Sequence, residues 1–159
     1  MDVKINSEEG KFKFRVCGIV INDDKVLTVK ICKNEFLCLP GGHVHLGEDT
    51  LTAIKREIKE EVEIEPEEIS LFSIMENFFK TAEGKPFHEI GYYYIIKPKN
   101  LGDKKDDFKF IENDEGELKD LDFKWIKLDE LDKVDFQPKV LIERLKNRDF
   151  SFKNIVCRD

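Results

Sequence analysis

The 159-residue chain has little of several things, and each shortage excludes something. Its four cysteines, Cys17, Cys32, Cys38 and Cys157, include no C-x-x-C pair. That spacing argues against a zinc site or a disulfide framework and for buried, reduced thiols in the cytosol. No apolar run approaches the roughly 20 residues of a membrane helix. The opening MDVKINSEEGKFKF lacks the basic and apolar regions of a signal peptide, so the expectation is a cytoplasmic protein with no membrane partner. Positive charge is short as well: 27 Lys and Arg stand against 34 Asp and Glu, a net charge of −7. Nucleic-acid binding needs basic surface to neutralise phosphates, so no nucleic-acid partner is expected. There are no repeats and no Pro/Gly/Ser-rich linker, which leaves one domain over residues 1–159 and one core.

What is present reads as an α/β order. FKFRVCGIVI (12–21) is rich in β-branched and aromatic residues and predicts a strand, Asn22-Asp23-Asp24 a turn, and 25–31 the returning strand. Residues 35–39 read as a short third strand ending at Pro40. Asp49 caps a helix running to about Val62, with Leu51, Ile54, Ile58 and Val62 as its buried stripe. Residues 69–79 and 87–96 read as a strand pair, 100–107 as a charged loop, and 122–127, with Trp125, as another strand. Pro138 opens a last helix to Asn147 with Val140, Leu141 and Leu145 inward. The tail 150–156 is a short strand or a packed extension. The predicted product is a mixed sheet with helices on both faces.

The chemistry gathers between Gly42 and Ile64, GHVHLGEDTLTAIKREIKEEVEI. Glu57, Glu60 and Glu61 fall on one side of the predicted helix, because residues three and four apart are neighbours there. Carboxylates that close repel unless a cation sits among them, and hard divalent cations prefer oxygen ligands. The segment therefore points to a magnesium site, and through it to phosphates. Taken alone, REIKEEVEIEPEE is an ordinary charged helix face with i,i+4 pairs. The leading glycines and the spacing to Glu48 reverse that reading.

Those residues resemble the Nudix signature, G-x5-E-x7-R-E-U-x-E-E-x-G-U with U a bulky apolar residue. Gly42, Glu48, Arg56-Glu57-Ile58, Glu60-Glu61 and Ile64 match, and Glu63 departs where the pattern has glycine. The resemblance implies a Nudix-type α/β/α sandwich, with a mixed β-sheet between helices, that hydrolyses a nucleoside diphosphate linked to another group with Mg²⁺ or Mn²⁺. It implies Glu57, Glu60 and Glu61 as metal ligands, assisted by the Gly41 carbonyl, with Arg56 holding Glu48. Glu60 is the expected proton acceptor or a shared ligand; Glu115 and Glu117 are the later-loop candidates. A glutamate at 63 in the left-handed conformation of the missing glycine costs about 1 kcal/mol without removing a ligand.

The remaining candidates are weaker. His43 and His45 lack a third zinc ligand, and exposed histidines are the plainer reading. His88 reads as structural. Phe79 or Phe136 could stack on a base and Asn77 could read a base edge, although the aromatics at 78–79 and 92–94 fit a sheet face equally well. The expected substrate is a small nucleotide, foremost a nucleoside triphosphate or its oxidised form, cleaved to monophosphate and pyrophosphate by a monomer or homodimer. ADP-ribose, nucleotide sugars and dinucleoside polyphosphates are the alternative substrates. A non-catalytic nucleotide sensor usually lacks motif carboxylates, which are all retained here. An isoprenoid diphosphate isomerase would need a catalytic cysteine motif, and none is identifiable.

Overall fold

The strand signal at 12–21 extends by a residue at each end to form β2 (Lys11–Asn22), whose middle, Val16 to Val20, is buried on both faces. Burial on both faces marks a central strand. Asp23, at φ 54°, turns the chain into β3 (Lys25–Ile31). The computed structural model, which describes residues 1–158, adds β1 (Lys4–Asn6), β4 (Gly41–His43), β5 (Glu65–Lys80), β6 (Pro86–Asn100), β7 (Phe108–Asp114), β8 (Glu117–Lys127) and β9 (Lys153–Arg158). The strand order is β7-β8-β3-β2-β6-β5-β9, with β1 and β4 also on β2. The sheet is mixed: β2–β6 and β5–β9 are parallel, and the other pairs antiparallel.

The register creates a split. β2 and β3 pair only beside their turn, at Ile21–Val26 and Asn22–Lys25. Away from it β2 takes β4 and β1 as neighbours, while β3 takes β8. Two wings therefore diverge, and the space between them is open to a ligand.

One helix lies against each face. Helix α1 (Thr50–Glu61) starts at Asp49, whose side chain accepts from Thr52 N at 2.9 Å and Thr52 Oγ1 at 2.8 Å. Ala53, Ile54, Ile58 and Val62 bury against Val16, Val20, Leu27 and Val29. Each fully buried Ile or Val contributes about 1.5–3 kcal/mol. Gly18 permits this approach, since a Cβ there would meet Ile58 Cδ1 at 2.8 Å. On the other face Leu131, Phe136, Leu141 and Leu145 cover Ile19, Phe72, Met75 and Tyr93. Leu145 belongs to α2 (Ile142–Lys146), tied to β5 by Arg144 donating to Ser73 Oγ at 2.6 Å. Among the described residues no helix is long and apolar enough to cross a membrane.

Several expectations need correction. Residues 35–39 form no strand, only isolated bridges at Leu37 and Cys38, and the short strand there is β4. β7 and the first half of β8 were not anticipated. The loop 100–107 contains a 3-10 turn, Gly102–Lys105. Leu51 and Val140 are exposed, although both were assigned to buried stripes. The last helix opens as a 3-10 turn, Lys139–Leu141, before α2. Cys32 is exposed rather than buried. The tail takes the strand option, adding β9 to β5.

Candidate active site

The glutamates of α1 face the split between the wings. Glu57 and Glu61 are buried, 7% and 6% exposed. Glu60 stands at the rim with its side chain 60% exposed. Their cleft, about 350 Å³, is also lined by Gly41, Gly42, His43, Arg15, Arg56, Glu112 and Lys119. A larger groove of about 840 Å³ runs along the outer face of α1 past Leu51, Lys55 and Glu63. It has no comparable group of buried carboxylates, so the chemistry belongs to the smaller space.

Position on the helix explains the burial. Glu57 and Glu61 are four apart, one turn above each other, beside the apolar stripe that docks α1. Gly42 makes room: a Cβ there would collide with the Glu57 carboxyl group. The Gly41-Gly42 pair of β4 therefore lets strand backbone approach the helix closely enough to line the cleft.

Arg56 ties the walls together. Its Nε donates to Glu48 Oε1 at 2.8 Å and its Nη2 to Glu48 Oε2 at 2.9 Å. Nη2 also donates to the His43 carbonyl at 3.0 Å, and Nη1 to Glu57 Oε1 at 2.7 Å. Glu60 Oε2 lies 3.5 Å from Nη1. Glu48 additionally accepts from His45 N at 3.0 Å. The two-pronged Arg56 contact, first, and the His45 amide hold the Glu48 carboxyl down at about 2.

The floor carboxylates shift the other way. Burial, followed by the charges of Glu57 and Glu112, pushes Glu61 up to about 9. Burial also raises Glu57, against the pull of Arg56, and raises Glu112 on the opposite wall. Burial disfavours the charge on all three acids, and at Glu61 the repulsion of Glu57 and Glu112 outweighs the pull of Arg15. An all-oxygen donor set under that strain suits a hard divalent ion. Among the described residues, no three His, Cys, Asp or Glu side chains already surround a shared point.

The structure separates the other candidates. Glu115 (φ 52°) and Glu117 sit at the β7–β8 hairpin turn, outside the cleft lining; the later glutamate at the cleft is Glu112. Its signal was the alternation FKFIEND, which puts Phe108, Phe110, Glu112 and Asp114 on the more buried side of β7. Phe136 is fully buried in the core and cannot stack on a ligand there. Phe79 stacks on Phe87 at 4.3 Å and does not line the cleft. Asn77 lines a second cavity of about 230 Å³ with Glu89, Tyr93, Phe36 and Gln137. That cavity shares Arg15, Ile31 and Leu39 with the cleft. His43 packs beside Asp2, its Nδ1 3.5 Å from Asp2 Oδ2, and burial lowers its imidazole to about 4. Glu63 takes φ 58° as the helix ends, and it faces the outer groove, not the cleft.

Comparison with known proteins agrees with this architecture. The NUDIX domain model matches residues 11–145, and the chain belongs to that family. Nudix hydrolases generally use divalent metals. A stretch of 84 residues is 36% identical to an ADP-ribose pyrophosphatase of Methanocaldococcus jannaschii, covering 51% of this chain and 48% of that protein. The match thus spans about half the length of that relative. The fold is similar to a NUDIX hydrolase of Nitrosomonas europaea (TM-score 0.62, 17% identity, 92% of this chain and 79% of that one). It is also similar to the mutator MutT protein of Bacillus halodurans (TM-score 0.60, 18% identity, 91% and 89%).

Proposed function

We propose that this chain is a Mg²⁺- or Mn²⁺-dependent pyrophosphohydrolase that cleaves the diphosphate of a nucleoside diphosphate derivative. The observation that carries this reading is the buried pair Glu57–Glu61 in the cleft, with Glu57 held by Arg56, which Glu48 anchors in turn. Glu57, Glu60 and Glu61, with the Gly41 carbonyl, would hold the metal. When bound, the ion supplies charge neutralisation at phosphoryl oxygens and an acidified water.

The protein's own groups supply the rest. Arg56 fixes the Glu57 carboxylate and, through Glu48 and the His43 carbonyl, ties α1 to the β4 turn. A water attacking phosphorus must lose a proton to a carboxylate within hydrogen-bond reach. Glu60 at the rim and Glu112 on the facing wall both line the cleft and are the candidates for that role. Glutamine variants assign the role: the acceptor is the residue whose loss lowers kcat, at saturating metal, more than the other's does.

ADP-ribose is the first substrate to try, ahead of a nucleoside triphosphate, because the partly matching relative is an ADP-ribose pyrophosphatase. Purified protein with Mg²⁺ is incubated with ADP-ribose, nucleotide sugars, dinucleoside polyphosphates and nucleoside triphosphates, and products are identified by mass. Release of a nucleoside monophosphate is the expected result. If the entire panel stays intact, the reading is wrong.

A further inference from the structure

One cation of the cleft is left with donors to spare. Arg56 is committed to Glu48, Glu57 and His43. Lys119 is held by Asp114 at 2.6 Å and Lys4 by Asp2 at 3.0 Å. Lys13 sits over the Phe87 ring, 5.5 Å from its centroid. His43 packs beside Asp2, its Nδ1 3.5 Å from Asp2 Oδ2. Arg15 differs from all of these. Its nearest anion is Glu89, at 3.9 Å, too far for a hydrogen bond. Its Nε is buried with no hydrogen-bond partner.

A buried guanidinium N–H without an acceptor costs free energy, and such an exception calls for a reason. Position supplies one. Arg15 lies in β2 opposite His43 of β4 and Gly91 of β6, strands on both sides that fix its backbone. Its side chain lines both the glutamate cleft and the second cavity beside Asn77 and Gln137. Whatever joins a group in one cavity to a group in the other must pass this residue. In a nucleoside diphosphate derivative the connecting group is the diphosphate. A planar fork of donors matches phosphoryl oxygens two at a time, which a lysine ammonium cannot do.

Resting on the hydrolase reading above, we propose that Arg15 clamps the substrate's diphosphate, donating to phosphoryl oxygens from the wall that faces the glutamates. The residue positions the diphosphate and takes no proton. Glu89 keeps the guanidinium in place when the cleft is empty and competes with the phosphate for it.

Calorimetry with imidodiphosphate in the presence of Mg²⁺ tests this on wild type, Arg15→Gln, Arg15→Lys and Glu89→Gln, alongside thermal melts and kinetics on the best substrate of the panel. Arg15→Gln should weaken imidodiphosphate binding at least 10-fold, and Arg15→Lys should recover only part of it. Glu89→Gln should bind as tightly as wild type or more tightly, because the competitor is gone. KM should rise more than kcat falls in Arg15→Gln. Wild-type binding by Arg15→Gln would overturn the clamp, as would equal losses in Arg15→Gln and Glu89→Gln, which mark a merely structural ion pair. If Arg15→Gln does not fold, Arg15→Lys and Glu89→Gln decide: equal weakening in both overturns the clamp, and weakening in Arg15→Lys alone supports it. An intact substrate panel with Arg15-dependent imidodiphosphate binding sinks the hydrolase reading and keeps the clamp. Hydrolysis that is indifferent to Arg15 does the reverse.

Discussion

At the scale of single residues, the site sets two opposite shifts side by side. Glu48 is held low by Arg56, while Glu61 is driven high by burial and its acidic neighbours. The first arrangement stabilises the fold and the second stores repulsion. Glu61→Gln should therefore leave the metal-free protein as stable as wild type, or more so, because burial and the acidic neighbours already disfavour the carboxylate there. Glu57→Gln, in contrast, also weakens the Arg56 ion pair and should bring no such gain. The same Glu57→Gln and Glu61→Gln variants should lose at least about 10²-fold in kcat, the usual scale for losing a key electrostatic group. Thermal melts and steady-state kinetics on each variant check both halves; substantial activity in either would remove it from the site. Glu48 gives the pH signature. Its folded value, about 2, lies below the ordinary carboxylate value of about 4.3. Its contribution is therefore present above about pH 4.3 and lost as pH falls through about 2. The stability gap between wild type and Glu48→Gln should be constant above about pH 5 and shrink steadily toward pH 2 in denaturant titrations.

At the scale of elements, α1 shows what a sequence can and cannot disclose. Its cap at Asp49, its end near Val62 and the carboxylate spacing are local features, so they are readable from the residues alone. Ile54, Ile58 and Val62 were expected inside and are, but Leu51 is exposed because the docked stripe shifts toward Ala53 and Glu57. Periodicity gives a face; only the partner sheet decides its edges. β7 was missed for a similar reason: a charged strand such as FKFIEND makes sense only once β8 lies beside it. Glu112 was missed with it. Phe136 read as a candidate for stacking on a base because its cover, α2, and its floor, Phe72 and Ile19, come from distant parts of the chain. Glu63 is the local departure with a local consequence. It holds the left-handed conformation that glycine adopts freely, at φ 58°, while its N–H donates to the Ile58 carbonyl at 3.0 Å. Glu63→Gly should relieve about 1 kcal/mol of backbone strain. That corresponds to a rise of about 2–4 °C in Tm for a domain of this size. Because Glu63 faces the outer groove, kcat should not change. A lower Tm would show that the side chain repays its strain with contacts.

At the scale of the whole molecule, the divided sheet is what makes the site. β2 and β3 share a hairpin and then part, so α1 and β4 approach from one wing while β7 and β8 bring Glu112 and Lys119 from the other. α1 supplies three of the carboxylates and the far wing Glu112, and the repulsion between Glu61 and Glu112 acts across the gap. A bound cation that satisfies both walls should therefore hold the wings together as well as serve the chemistry. Any ligand of the folded state alone stabilises it by mass action, about 2.7 kcal/mol at 100 times its Kd. Adding Mg²⁺ to metal-free protein should raise Tm in proportion to the logarithm of its concentration. The rise should vanish in Glu61→Gln and reverse on adding a chelator. Glu112→Gln should reduce it without abolishing it, because that residue brings one carboxylate from the far wing against three from α1. Equal Mg²⁺-dependent shifts in wild type and Glu61→Gln would mean that the ion binds elsewhere and that the floor carboxylates do not form its site.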